Sequence, residues 1–259
     1  MLSLPSPKLI VSGYEGPRGA HLYMVEDQKG TKYTGLPSVT KKLDLIGGSK
    51  TGALMGWAVR EALNHVRIEL EASMHDGLPL GAELLDRVIK AGRKRPEKVK
   101  DAAADLGTRV HGLIDSWIMG NRNLDMLSDE AVAFGNFLAF VKEKGLVFIS
   151  GDLAVASVKY QYGGRLDALA RMGDKLVLMD WKTSNAIRDD YALQVAGYRL
   201  ALLETYGLKA NRAMVVRFDK VDPSVLDYKE VAIGQATRTW KALVGFEKEY
   251  VKCSWKGRK

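Results

Sequence analysis

Cysteine is almost absent from this sequence. A single one, Cys253, stands in 259 residues, which excludes an internal disulfide and any metal site built from clustered cysteines. Long apolar runs are missing too. No stretch approaches the length needed to span a bilayer, and the N-terminus lacks the charged-then-apolar pattern of a secretory signal. The expectation is an intracellular, cytoplasmic protein with no membrane partner. No internal repeat, low-complexity tract or linker separates two domains cleanly. At 46% hydrophobic and 27% charged, the composition is that of an ordinary globular chain able to bury a large core.

Acids are the scarcer charge: 31 Asp+Glu against 39 Lys+Arg leave a formal net charge of +8. Such an excess favours polyanionic partners, because neutralising phosphates releases condensed counterions. Lys90, Arg93, Lys94, Arg95, Lys98 and Lys100 crowd into one stretch, offset only by Glu97. Lys252, Lys256, Arg258 and Lys259 form a second cluster. The alternatives are a basic solubility surface, a solvated loop and a frayed tail.

Residues 8 to 40 read as short strands and turns, with Asp27-Gln28-Lys29-Gly30 as a hairpin break. Leu36-Pro37-Ser38-Val39-Thr40 reads as a helix entry capped by Ser38 or Thr40. Helical periodicity runs through Leu54, Trp57, Ala58, Glu61 and Ala62, then through Leu84, Leu85, Val88 and Ile89. Gly47-Gly48-Ser49-Lys50-Thr51 fails as a phosphate loop, since its lysine follows no glycine and no buried strand precedes it. It reads as a flexible turn. Helices are expected over residues 101 to 119 and 128 to 144, the second ended by Lys142, Lys144 and Gly145.

From Gly145 the period becomes that of strands: Leu146 to Ile149, Leu153 to Tyr160, Arg165 to Arg171 and Lys175 to Trp181, with Gly173-Asp174 as a tight turn. A helix from Asp189 to Tyr206, strands at Arg212 to Phe218 and Tyr228 to Ile233, and a helix from Gln235 to Tyr250 complete the pattern.

Chemistry concentrates between Gly163 and Tyr198. Asp180 ends the apolar run Leu176-Val177-Leu178-Met179, and an acid at the end of a buried strand needs a cationic partner. Strand alternation puts Asp180 and Lys182 on one side and Trp181 on the other. Asp167 precedes Asp180 by thirteen residues across the Gly173 turn, so the two acids fall side by side at the ends of paired strands. Oxygen ligands of this kind suit Mg²⁺ or Mn²⁺. The bland alternative is a surface Asp–Lys pair. His111 lies at the margin of its helix stripe, with Asp115 one turn later as an orienting partner for the ring.

Several motifs in order then resemble a known family. GGRLD, DWKTS and Gln194-x-x-x-Tyr198 look like the RecB-type branch of the PD-(D/E)XK nuclease superfamily. Gly107-Thr108-Arg109-Val110-His111 looks like that branch's upstream G-T-x-x-H motif, and LPSVT with the Trp57 helix is similar to the mitochondrial genome maintenance exonuclease group. The resemblance implies an α/β fold: a restriction-endonuclease-like mixed sheet flanked by helices. It implies one nuclease domain over 1 to 259, with a hairpin and helical elaboration to 145 and the catalytic core after it. It makes Asp167 and Asp180 metal ligands and Lys182 the catalytic lysine. His111 and the Trp181 carbonyl would complete the shell, and Gln194 and Tyr198 would position the nucleic-acid backbone. Asp152 stands near the place of a family glutamate, with a shorter reach. One cysteine excludes the iron–sulfur subfamilies.

The function expected is a Mg²⁺- or Mn²⁺-dependent DNA exonuclease acting on single strands or free ends, with Arg93, Lys94 and Arg95 guiding the strand. The alternatives are a catalytically silent nucleic-acid-binding module and a structure-specific endonuclease.

Overall fold

Local turn chemistry sets the first elements of the chain, of which the computed structural model describes residues 4–46, 48–79 and 81–252. Strands β1 (Leu9–Glu15), β2 (His21–Asp27) and β3 (Lys32–Pro37) form an antiparallel meander. Asp27 closes the expected β2–β3 turn, its Oδ1 accepting from the Lys29 and Thr31 amides at 2.9 Å, while Gly30 takes a φ of 80°. Ser38, not Thr40, caps helix α1 (Val39–Lys42) by accepting from the Lys41 amide at 3.0 Å.

Helix α2 (Gly48–His75) begins where a flexible turn was expected: Gly48 to Thr51 are its first turn, and Gly47 lies outside the described residues. Helix α3 (Ala82–Ile118) corrects a second expectation. The basic run from Lys90 to Lys100 is no loop between two helices but the middle of one, with Pro96 inside it. Contacts divide the chain into two compact units, Ile46–Leu106 and the residues on either side of it. Within Ile46–Leu106, α2 and α3 approach closely at Gly92, where a Cβ would lie 2.6 Å from Val66 Cγ2 and 3.0 Å from the Ala62 carbonyl. Tertiary packing of this kind outweighs the local disfavour of a proline and of crowded like charges.

In the other unit, α4 (Ser128–Lys144) has the expected bounds and ends on Gly145 with φ 60°. Then come β4 (Leu146–Ser157), β5 (Tyr162–Met172), β6 (Lys175–Thr183), α5 (Asp189–Tyr206), β7 (Arg212–Phe218), β8 (Leu226–Glu230) and α6 (Ile233–Lys252). The strands form one sheet in chain order, antiparallel except for the parallel pair β6–β7. That parallel step needs a long crossover, which α5 supplies. The mixed sheet flanked by helices is thus as expected. One correction concerns β4: the two strands read from sequence are a single strand, irregular between Phe148 and Ser150 and with Asp152 at φ 44°.

Alternation along β6 decides which side each residue serves. Trp181 points into an aromatic cluster with Phe137 and Phe148, at 5.6 and 6.3 Å between ring centroids. Leu176 and Leu178 face a core shared with Val195, Leu202 and Trp240 of α5 and α6. The meander docks on the sheet through Tyr23 against Gly163, beside a bridge from Ser38 to Gly163. Among the described residues no helix is long and apolar enough to cross a membrane.

Candidate active site

Asp180 and Lys182 leave β6 on the side away from the Trp181 cluster. The Asp180 carboxylate is 0% exposed, and its Oδ2 lies 2.5 Å from Lys182 Nζ, while Oδ1 has no hydrogen-bond partner. Asp167 arrives from β5. The pairs Ala168↔Met179 and Leu169↔Leu178 put it opposite Asp180 one step further along the ladder, and its Oδ2 accepts from the Trp181 amide at 2.6 Å. Directly opposed residues on paired strands sit about 5 Å apart between Cβ atoms. The two acids are therefore side by side just beyond the last β5–β6 pair, with Asp167 in the middle of β5 rather than at the strand end expected from sequence.

Burial pushes the Asp180 and Asp167 carboxyls above their ordinary range, with Lys182 pulling each back. For Lys182, burial opposes the charge, but Asp180 and then Asp167 hold the ammonium above its ordinary pKa. A single ammonium thus answers two carboxylates, and one buried oxygen stays unpaired. His111 reaches this centre from α3. Burial, and next the Lys182 charge, lower its pKa to about 4, so the imidazole is neutral at physiological pH. Gly107 makes that approach possible: a Cβ there would lie 3.1 Å from Thr183 Oγ1 and 3.2 Å from Thr183 Cβ.

Helix α5 closes the site from below. Gln194 and Tyr198, 7% and 6% exposed, are joined by a bond from Gln194 Nε2 to the Tyr198 hydroxyl at 2.9 Å. Burial raises the Tyr198 phenol well above its ordinary pKa, as do the nearby charges of Asp180 and Asp167. Tyr191, one turn earlier, holds its ring 5.2 Å from Lys182 Nζ and 5.4 Å from the Arg188 guanidinium carbon. Sequence reasoning passed over Tyr191, although its spacing of three and seven residues from Gln194 and Tyr198 marks the same helix face.

Arg93, Lys94 and Arg95 are exposed on α3 within the Ile46–Leu106 unit, where Arg95 pairs with Glu61 at 3.2 Å. The C-terminal Lys256, Arg258 and Lys259, like Cys253, fall outside the described residues. Asp152 is engaged by Arg165, whose Nε donates to Oδ1 at 2.6 Å and whose Nη2 donates to Oδ2. Asp115 also departs from its expected role. It feels the charges of Asp152, Asp167 and Arg165, its Oδ1 is buried without a partner, and burial followed by Asp152 raises its pKa to about 7.

Whether these donors suit a divalent cation is a matter of count and hardness. Among the described residues no three His, Cys, Asp or Glu side chains form a ready cage. The set is two carboxylates, one of them with an unpaired buried oxygen, and a neutral imidazole that feels the charges of Lys182 and Asp180. Mg²⁺ commonly takes one or two carboxylates and completes its shell with water and substrate phosphate. The donors fit an ion of that class.

No family model matches the chain, and no curated protein matches it. Solved structures share part of its course, among them the following. A candidate exonuclease from Eubacterium rectale superposes with a TM-score of 0.40 at 10% identity, over 57% of this chain and 66% of that one. An alkaline exonuclease from Laribacter hongkongensis gives 0.25 at 11% identity, over 56% and 82% of the two chains. The same enzyme in complex with dAMP gives 0.28 at 15%, over 58% and 94%. The chain spans just under two thirds of the first of these. A likeness at this level leaves the activity to be argued from the site alone.

Proposed function

We propose that this chain is a divalent-metal-dependent deoxyribonuclease, an exonuclease working on single-stranded DNA or free ends, of the RecB-type PD-(D/E)XK kind. The observation that carries the reading is the fully buried Asp180 with its unpaired Oδ1, set between Lys182 and Asp167 at the end of β6. A solvated surface pair would not tolerate such burial, because an uncompensated carboxylate in a protein interior is costly.

Asp167 and Asp180 would hold Mg²⁺ or Mn²⁺, with the Trp181 carbonyl and the His111 imidazole as further donors. A bound ion of this kind acidifies water and offsets phosphate charge. The chain's own groups do the rest. Lys182, steadied between Asp180 and the Tyr191 ring, donates a hydrogen bond to the attacking water and to the charge gathering on the phosphate oxygens. The water oxygen bonds to phosphorus and releases its proton to solvent, while the phosphorus–oxygen bond to the leaving sugar breaks and the sugar oxygen takes up a proton from solvent. The paired Gln194 and Tyr198 form a floor that keeps bulk water from beneath the carboxylates. Arg93, Lys94 and Arg95 supply a basic helix surface suited to a polyanionic strand.

The test is a Mg²⁺ or Mn²⁺ titration on end-labelled linear and circular single strands. The proposal expects products from the linear strand only, and a loss of about 10²-fold or more in rate for Lys182→Ala and Asp180→Ala with melting intact. Cleaved circles would instead point to an endonuclease. Binding without products at any metal concentration would mark a silent binding module.

A further inference from the structure

We infer that Arg165 is a phosphate-binding residue that takes a backbone phosphate of the nucleic-acid strand neighbouring the one at Asp167 and Asp180. This rests on the nuclease reading and adds to it a position for the strand. Arg165 precedes Asp167 by two residues on β5, so both project from the same face, about 7 Å apart along the strand. Its side chain is 52% exposed, which leaves the guanidinium open to a ligand arriving at the carboxylates.

The guanidinium is also held in a fixed attitude. Asp152 grips it side-on through Nε and Nη2. Among the described residues Nη1 makes no hydrogen bond, so the end-on fork formed by Nη1 and the second Nη2 hydrogen is available. That fork matches two oxygens of a phosphate, and its planarity makes the match geometric as well as electrostatic.

What holds Arg165 is itself unusual. The pairs Gly151↔Ala168 and Leu153↔Leu166 place Asp152 across from Asp167 in the ladder, yet its φ is 44°, a left-handed value that a non-glycine residue in a strand rarely adopts. Such a conformation costs stability, and an exposed ion pair returns little of it. Stability is therefore a poor account of the arrangement, whereas orienting a guanidinium beside the acids is a sufficient one. Asp115 lies close enough for its charge to be felt at Arg165, so the cation is set among acids that repel a bare phosphate elsewhere on this rim.

The experiment measures binding of a fluorescein-labelled oligothymidine over a potassium chloride series, in a Lys182→Ala background that prevents cleavage. Arg165→Met is expected to weaken binding several-fold and to reduce the slope of log K against log salt by about 0.7, the value for one lost phosphate contact on a single strand. Arg165→Lys, which keeps the charge and loses the fork, is expected to keep the slope and bind more weakly. It also serves if the methionine variant melts below the assay temperature. An unchanged slope and affinity in Arg165→Met, with the parent binding normally, overturns the inference and leaves the nuclease reading standing. A parent that neither binds the oligonucleotide nor, with Lys182 restored, cleaves it overturns both.

Discussion

Gly107 has no side chain, and Thr183 is the reason. The added methyl of Gly107→Ala would press on Thr183 one residue beyond Lys182, and helix α3 would have to retreat with His111 one turn further on. Overpacking at such a contact costs about 1–2 kcal/mol. The variant should melt lower and cleave more slowly, and Thr183→Ala in the same chain should recover part of both losses. Additive losses in urea melts and rates would count against the contact. Metal gives a readout separate from activity. If Asp180 holds the ion, Mn²⁺ at a hundredfold its dissociation constant should stabilise the parent by about 2.7 kcal/mol and leave Asp180→Ala unmoved. Calorimetric melts with and without Mn²⁺ decide this. A third case is Asp219, whose pKa is held down to about 2 by the Val221 amide and then by Arg217. A depressed carboxyl stabilises the fold above its unfolded pKa near 3.8, and the benefit fades as pH falls toward 2. Asp219→Asn should therefore cost about 1–2 kcal/mol at neutral pH, allowing for partial exposure, and almost nothing near pH 2.

At the scale of elements, β5 works through two glycines that admit neighbours at close range. A Cβ on Gly164 would lie 2.5 Å from Tyr198 Cε1 and 3.3 Å from Val39 Cγ2, so Gly164→Ala must drive the tyrosine from its pocket under the carboxylates. A loss of about 1–3 kcal/mol is expected, with a larger fractional loss of cleavage than of fold. Urea titration set beside turnover would show it. The elements with strong local signals were legible in the sequence: the Asp27 turn, α4 between its charged ends, the hairpin at Gly173 and the crossover helix α5. The adjacency of Asp167 and Asp180 was legible too, because a two-residue turn fixes register. What escaped was continuity. Gly151 and Asp152 read as a break, yet β4 passes through them, because pairing with β5 on both sides carries the strand across. The basic run from Lys90 to Lys100 was left between two helical patterns, a solvated loop being one alternative, yet α3 runs through it, with Gly92 seated against α2. The partners of Asp152 and Asp115 were illegible for a further reason. Which acid meets Arg165 depends on strand twist and helix placement, which no local pattern records.

For the whole molecule, the ordering of the sheet matters more than any single contact. Asp180 pairs with Val215 across the parallel step, and β7 enters only after α5 has crossed over. A chain truncated after Asn211 would leave β6 as an open edge and strip α6, with Trp240, from the core. Such a fragment is expected to show no cooperative melt by circular dichroism, and a cooperative one would refute this view of the sheet. Non-local pairings of this kind also form late in folding.

The parallel step between β6 and β7 has a consequence for the cell that makes the chain. Both carboxylates and the lysine are already synthesised when the ribosome has completed β6, but their pocket waits for α5 and β7. A growing polypeptide therefore carries Asp167, Asp180 and Lys182 before the helix that covers them has been made, and if the three are the centre proposed above, a chain broken off after β6 is expected to be inactive.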